Sequence, residues 1–315
     1  MSFSDTIKPS ISVVIPVYNS ELTLPRLVER LLPVLSGLAR DYELVLVNDG
    51  SRDQSWSVIQ RLAVEHQWIR GINLMRNYGQ HNAILCGIRA ARFNILVTMD
   101  DDLQHPPEEL PKLLAKLEEG LDVVYGTPEE EQHGLLRDVA SMITKIALQS
   151  AMGTETARGV SAWRVFSTQL RDAFAGYHSP FVSIDVLLTW GTTKFGSVRV
   201  RYDPRTIGKS NYSFRKLVRH AMNMMTGFSV LPLQLASIIG FVFTLFGIGV
   251  LFFVLGRYLI TGTNVAGFPF LASIIAIFSG AQLFALGIIG EYLARMHFRT
   301  MDKPTDTVRQ ITNTL

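Results

Sequence analysis

Two uncharged stretches set the terms on which this chain can fold. Residues 235–256, LASIIGFVFTLFGIGVLFFVLG, carry no charged side chain, and neither do residues 267–289. At about 1.5 Å of rise per residue, each covers roughly 30 Å as a helix, the hydrocarbon thickness of a bilayer. Neither has the polar face that a helix of a soluble core turns to water. The connection between them, TGTNVA, is short and uncharged, whereas Arg215, Lys216 and Arg219 precede the first run and Arg295, Arg299 and Lys303 follow the second. Positive charge on both outer flanks predicts a hairpin in the inner (plasma) membrane with both termini in the cytoplasm. Gly240, Gly247 and Gly256 offer points of close helix approach.

Length and composition leave room for one ordinary domain besides this hairpin. The 315 residues are 48% hydrophobic, with a formal net charge of +3. No long block of like charge suggests a nucleic-acid partner. The N-terminus, MSFSDTIKPS, lacks the basic start and apolar run of a signal peptide, so the front of the chain is expected in the cytosol. The single cysteine, Cys86, excludes an internal disulfide and lies in an apolar helical pattern, which reads as core packing.

Residues 11–127 alternate short β-rich runs with helical patterns. The runs are ISVVIPVY, YELVLVN, IRGINLM, NILVTMD and LDVVYG. Continuous apolar strands separated by helices predict a parallel sheet covered on both faces, a doubly wound α/β domain. Ser51 with Gln54 predicts a capping box on the second helix. Between domain and hairpin, Phe214, Leu217, Val218, Ala221, Met225 and Phe228 recur at helical spacing, with Arg215, Lys216, Arg219 and His220 largely off that stripe. This predicts an amphipathic helix in the membrane interface. The expected divisions are a cytosolic domain over 1–211, the juxtamembrane helix over 212–233, the hairpin over 234–290 (spans at about 235–257 and 267–289) and a cytosolic tail over 291–315.

The fourth β-rich run ends in Asp100, Asp101 and Asp102, followed by Gln104 and two prolines. Crowded carboxylates need neutralising, and Mg²⁺ or Mn²⁺ prefers oxygen ligands. Asp100 and Asp102 alternate at a strand end, and Gln104 adds a carbonyl oxygen. A metal there keeps positions for phosphate oxygens. Three other strand ends carry polar turn residues: Pro16, Tyr18 and Asn19; Asn48, Asp49, Gly50 and Ser51; Arg76, Asn77, Tyr78 and Gly79. Ligands of such sheets bind outside the carboxyl ends of the strands. Tyr18 offers an aromatic face and Asp49 an acceptor for a nucleobase.

The strings VVIPVYNS, VNDGSRDQS, RNYGQHNAILCGIRAA and MDDDLQHPPEEL occur here in the order of the family 2, GT-A fold glycosyltransferases. Within that family the chain resembles the polyprenyl-phosphate transferases, such as dolichyl-phosphate mannose synthase and the bactoprenol glucosyltransferases. The resemblance runs from about residue 11 to Arg295. It implies a GT-A domain and inverting transfer of a hexose, with glucose from UDP-glucose the first expectation, onto undecaprenyl or another polyprenyl phosphate. It places Pro16, Tyr18, Asn19, Asp49, Ser51, Arg76 and Asp101 on the nucleotide. Asp100, Asp102 and Gln104 fall on a divalent metal. Arg137, Ser141, Arg164, Arg205 and Ser210 fall on the acceptor phosphate, with Asp100, Asp102 and Arg205 catalytic. It also implies a homo-oligomer, a tetramer as in close relatives.

The chain departs from the family pattern in places. Ser20 stands where a glutamate often follows Tyr-Asn, and Glu129, Glu130 and Glu131 stand where an arginine is common. The stretch before SAWR is Ala157-Arg158-Gly159, where family members commonly carry an aspartate. Two rivals stay open on these residues. One is a processive glycan synthase, although its relatives usually carry a downstream Gln-x-x-Arg-Trp and more helices, neither of which this sequence has. The other is a catalytically silent nucleotide- or lipid-binding membrane protein.

Overall fold

The computed structural model describes residues 8–128, 159–179, 181–203, 231–261, 267–301 and 303–312. Its core is an eight-stranded sheet in the order β7-β5-β6-β4-β1-β2-β3-β8. The strands are β1 (Ser10–Val17), β2 (Asp41–Asn48), β3 (Ile69–Leu74), β4 (Ile95–Thr98), β5 (Val123–Pro128), β6 (Arg164–Ser167), β7 (Phe195–Val200) and β8 (Val308–Ile311). The helices are α1 (Leu24–Leu38), α2 (Ser55–Glu65), α3 (Gln80–Ala90), α4 (Leu110–Leu117) and the short α5 (Ile184–Leu188). Two long helices follow, α6 (Leu231–Thr261) and α7 (Phe268–Thr300).

The apolar runs become central strands because both sheet faces are covered. Along β1, Ile11, Val13, Ile15 and Val17 join α1, α2 and α4 in one core layer. Val14 points the other way, into the layer built with α3 and α5. β2 repeats the alternation with Leu44 and Leu46 on one side and Val45 and Val47 on the other. This is the two-residue period of a strand buried on both faces. In α1, the buried Leu24, Leu27, Val28, Leu31 and Leu35 make one helical stripe.

β4, β1, β2 and β3 are parallel neighbours, as their sequence predicts. The wholly parallel sheet is not what forms. β6 runs antiparallel between β4 and β5, and β8 runs antiparallel on the outer edge of β3. The β5 run therefore joins the sheet through β6 rather than beside β4. The capping box is also absent. Gln54 is itself the residue before α2 and makes no side-chain cap. Ser51 Oγ instead donates to Asn48 Oδ1 at 2.5 Å and accepts from Asn19 N at 3.0 Å, while Asp53 Oδ1 takes Ser55 N at 3.0 Å. The hydroxyl is drawn away by the neighbouring loop, and a carboxylate one residue before Gln54 takes its place.

α6 and α7 contain two segments long and apolar enough to cross a membrane, Pro232–Ile260 and Ile277–His297, neither buried among the described residues. They meet at Gly247, where a Cβ would stand 3.2 Å from Phe278, and Phe243 packs edge-on against Phe278 at 5.7 Å. Among the described residues, a Cβ on Gly240 or Gly256 would meet nothing within 4 Å. α7 runs to Thr300, past the expected end of its span, and the tail then rejoins the sheet as β8. The expected amphipathic helix falls almost wholly within 204–230, outside the described residues.

Candidate active site

The strand order reverses at β1, between β4 and β2, which opens a crevice at their carboxyl ends. Four loops meet there, after β1, β2, β3 and β4, and side chains of one loop fix the backbone of the next. Pro16 is buried within β1, beyond the last β1–β4 pair, and shapes the strand rather than meeting solvent. Tyr18 is 40% exposed at the crevice. Asn19 takes a left-handed conformation, φ 56°, and its Oδ1 accepts from Arg52 N at 2.8 Å.

Asp49 is buried, and its two oxygens are held by Tyr78 N at 2.6 Å and Gly79 N at 2.9 Å. Burial pushes its pKa up, and the two amides and Arg76 pull against that shift. Its first role is therefore to clasp the loop after β3. Gly50 makes the clasp possible. It has φ 66°, and a Cβ there would lie 2.5 Å from Asn77 N. Arg76 lies over the Tyr78 ring at 4.0 Å.

The three aspartates divide their work. Asp101 turns back to the first loop, accepting from Ser20 Oγ and from Tyr18 N at 3.3 Å. Burial raises its pKa to about 6 against those hydrogen bonds. Asp100 Oδ1 accepts from Gln80 Nε2 at 2.6 Å, at the start of α3. Asp102 Oδ1 accepts from Gln104 N at 3.1 Å. Between them Leu103 is left-handed, φ 62°, a costly conformation for a leucine that the surrounding loop enforces. Gln104 Oε1 accepts from Tyr202 Oη at 2.9 Å, and Gln104 O accepts from Asp203 N at 3.0 Å.

Among the described residues no group of three or more His, Cys, Asp or Glu forms a metal cluster. The half-exposed Asp100 and Asp102, with the Gln104 amide oxygen, are nevertheless hard oxygen donors on one loop. That set suits an Mg²⁺ or Mn²⁺ ion that keeps positions for substrate phosphates.

Arg164 sits in the interior instead of facing solvent. It is 2% exposed at the start of β6, its Nη1 lies 3.4 Å from Asp185 Oδ1, and Tyr125 Oη donates to the same oxygen at 3.2 Å. Arg137, Ser141, Arg205, Ser210, Ala157 and Arg158 lie outside the described residues. Gly159 is described, and a Cβ there would stand 3.1 Å from Ser197. Several contributors escaped the sequence reading. Gln80, Tyr202, Asp203 and Asp185 reach the site from elements whose proximity only the topology reveals. Ser20, read as a departure, bonds to Asp101.

The glycosyl transferase family 2 model matches residues 12–175. An undecaprenyl-phosphate 4-deoxy-4-formamido-L-arabinose transferase of Shewanella sediminis is 36% identical over 304 residues, covering 96% of this chain and 92% of that protein. Its namesake from Proteus mirabilis is 34% identical over 304 residues, covering 96% and 93%. Among solved structures, glucosyl-3-phosphoglycerate synthase of Mycobacterium tuberculosis, in complex with Mn²⁺, uridine-diphosphate and glucosyl-3-phosphoglycerate, superposes with a TM-score of 0.51. It is 20% identical and covers 69% of this chain and 78% of that one, a likeness of fold. The domain match and the full-length relatives together show that the chain belongs to glycosyl transferase family 2 and is a glycosyltransferase.

Proposed function

We propose that the chain transfers a sugar from a UDP-sugar to the phosphate of a membrane-embedded polyprenol, undecaprenyl phosphate being the first acceptor to test. The observation that carries this reading is the return of the chain, after two bilayer-length helices, to the sheet whose carboxyl edge holds Asp100 and Asp102. In this reading a nucleotide site and a membrane anchor are parts of one fold. The full-length relatives are named for the same lipid phosphate. Because β3 precedes the hairpin and β8 follows it in the same sheet, both ends of the hairpin belong on the side of the catalytic domain.

In this reading Tyr18, Asn19, Ser51 and Arg76 border the nucleotide, and Asp49 and Asp101 hold their loops in register. Asp100, Asp102 and Gln104 would hold Mg²⁺ or Mn²⁺, which offsets charge developing on the leaving diphosphate. The arginines and serines at 137, 141, 205 and 210 would face the acceptor. A phosphate monoester with a second pKa of about 6 is already largely dianionic at neutral pH, so transfer with inversion needs positioning more than a strong base. Arg164, paired with Asp185, supports the start of β6 opposite Thr98 of β4.

Glucose is not the sugar in the relatives' names, which specify 4-deoxy-4-formamido-L-arabinose, whereas a fold neighbour is described with UDP-glucose. The test supplies the purified chain with undecaprenyl phosphate and labelled UDP-glucose or UDP-4-deoxy-4-formamido-L-arabinose, with Mg²⁺ or Mn²⁺. Label entering the organic phase from one donor, and lost with EDTA, is the expected result. A lack of lipid label from a wider panel of UDP-sugars would sink the proposal.

A further inference from the structure

The tail after the hairpin grips the nucleotide edge at several points. β8 pairs antiparallel with β3, Ile311 opposite Ile72 and Gln310 opposite Asn73, with the register shifting before Val308 meets Leu74. At that shift both backbone groups of Met75 are taken by the tail. Its N–H donates to Thr307 O at 2.9 Å, and its carbonyl accepts from Arg309 Nη2 at 3.2 Å. Met75 is the last residue before the loop at 76–79, whose amides clasp Asp49. Asn77 Nδ2 also donates to Asp49 O at 3.0 Å.

A second grip acts on α3. Arg89, in its last turn, donates to Thr305 Oγ1 at 2.9 Å and to Tyr177 O at 2.6 Å, with Asp306 3.8 Å away. Thr305 is buried. Asp306 also stands against the buried thiol of Cys86 on the same helix. The other end of α3 is Gln80, bonded to Asp100. Just before the tail, Arg295 of α7 lies over the Phe181 ring at 4.7 Å.

We propose that residues 305–312 are a positioning element of the nucleotide site. By bracketing Met75 and anchoring α3, they set the 76–79 loop against Asp49 and couple nucleotide binding to the end of the second membrane helix. This rests on the reading above, that these loops hold a nucleotide. An edge strand that merely covered β3 would protect its ladder. It would have no reason to change affinity for a ligand bound beyond the strand's end. A positioning strand must do so, and by linkage the nucleotide must stabilise the docked tail by the same factor.

The test uses the full chain in lipid nanodiscs, with UDP and Mn²⁺ as the probe. Arg309→Ala removes one exposed side chain and one bond, so it leaves the fold standing. It should weaken UDP binding three- to ten-fold and raise KM for the sugar donor. The KM for the lipid acceptor should not move, and Arg309→Lys should recover most of the loss. Backbone amide exchange at Tyr78 and Gly79 should quicken in Arg309→Ala whether or not nucleotide is present. Saturating UDP should slow alkylation of Cys86, the only thiol, in the unaltered chain. Unchanged exchange at Tyr78 and Gly79, both in Arg309→Ala and in a chain ending at Lys303, would overturn the proposal. So would unchanged UDP affinity despite faster exchange. Failure of the unaltered chain to bind UDP at all would strike the nucleotide reading itself, and the exchange arm tells that failure from the first.

Discussion

At the scale of single residues, the candidate site is a set of side chains that hold backbone. Gln80 shows what this implies. Its one bond to Asp100 fixes the rotamer of a carboxylate proposed to hold the metal. Groups that orient a ligand commonly contribute 10–100-fold in metal affinity. Gln80→Ala should therefore raise the Mn²⁺ concentration for half-maximal transfer about ten-fold, read in a metal titration, with the fold unchanged by circular dichroism. His105 carries a different consequence. It is buried against Trp163 and Tyr202, ring centroids 5.5 and 5.4 Å away, and burial lowers its pKa to about 4. A histidine held neutral in the fold but titrating near 6.5 when unfolded stabilises the protein above pH 6.5. That stability drains as pH falls toward 4, by roughly 3 kcal/mol. The thermal midpoint should fall across that window, and His105→Phe should flatten the dependence.

At the scale of elements, the helices act as rods that carry polar ends to the crevice. α3 lies so close to the sheet that a Cβ on Gly87 would stand 2.3 Å from Val14 Cγ1 and 3.1 Å from Val47 Cγ2. Gly87→Ala should cost about 1–3 kcal/mol by overpacking, seen as a lowered thermal midpoint. Activity should fall as well, because lifting α3 moves Gln80. The sequence made the central strands legible because runs such as SISVVIPV are buried on both faces and have no reason to alternate with polar residues. It made the hairpin legible because bilayer length and lack of charge are local properties. It could not reveal β6, β7 or β8. RVFS, FGSVRV and VRQI are short or alternating, and only pairing with strands far along the chain makes them strands. The candidate site divided the same way. Asp100, Asp102 and Asp49 announced themselves as carboxylates at strand ends. The burial of Arg164 against Asp185 depended on β6 running antiparallel beside β4, which no local pattern encodes.

At the scale of the whole molecule, the chain leaves a soluble fold, makes two bilayer-length helices and comes back to the same sheet. A path of that kind requires an even number of crossings. In intact cells, Asn264→Cys in the connection should react with an impermeant maleimide added outside, whereas Asn313→Cys should react only after permeabilisation. Buried Cys86 gives a quiet background for both. Label on both sites from the same side would refute the arrangement. The β3–β8 pairing also orders events during synthesis. Gly71 and Thr312, hydrogen-bonded at 2.8 Å, are 241 positions apart. The ribosome delivers the front of the chain first, so β3 waits with an open edge through the making of both apolar helices. Its partner strand follows only after both of those helices. The newborn protein thus completes this sheet edge only after its apolar helices have emerged to meet a bilayer, and a copy interrupted before Thr312 would be an unfinished one.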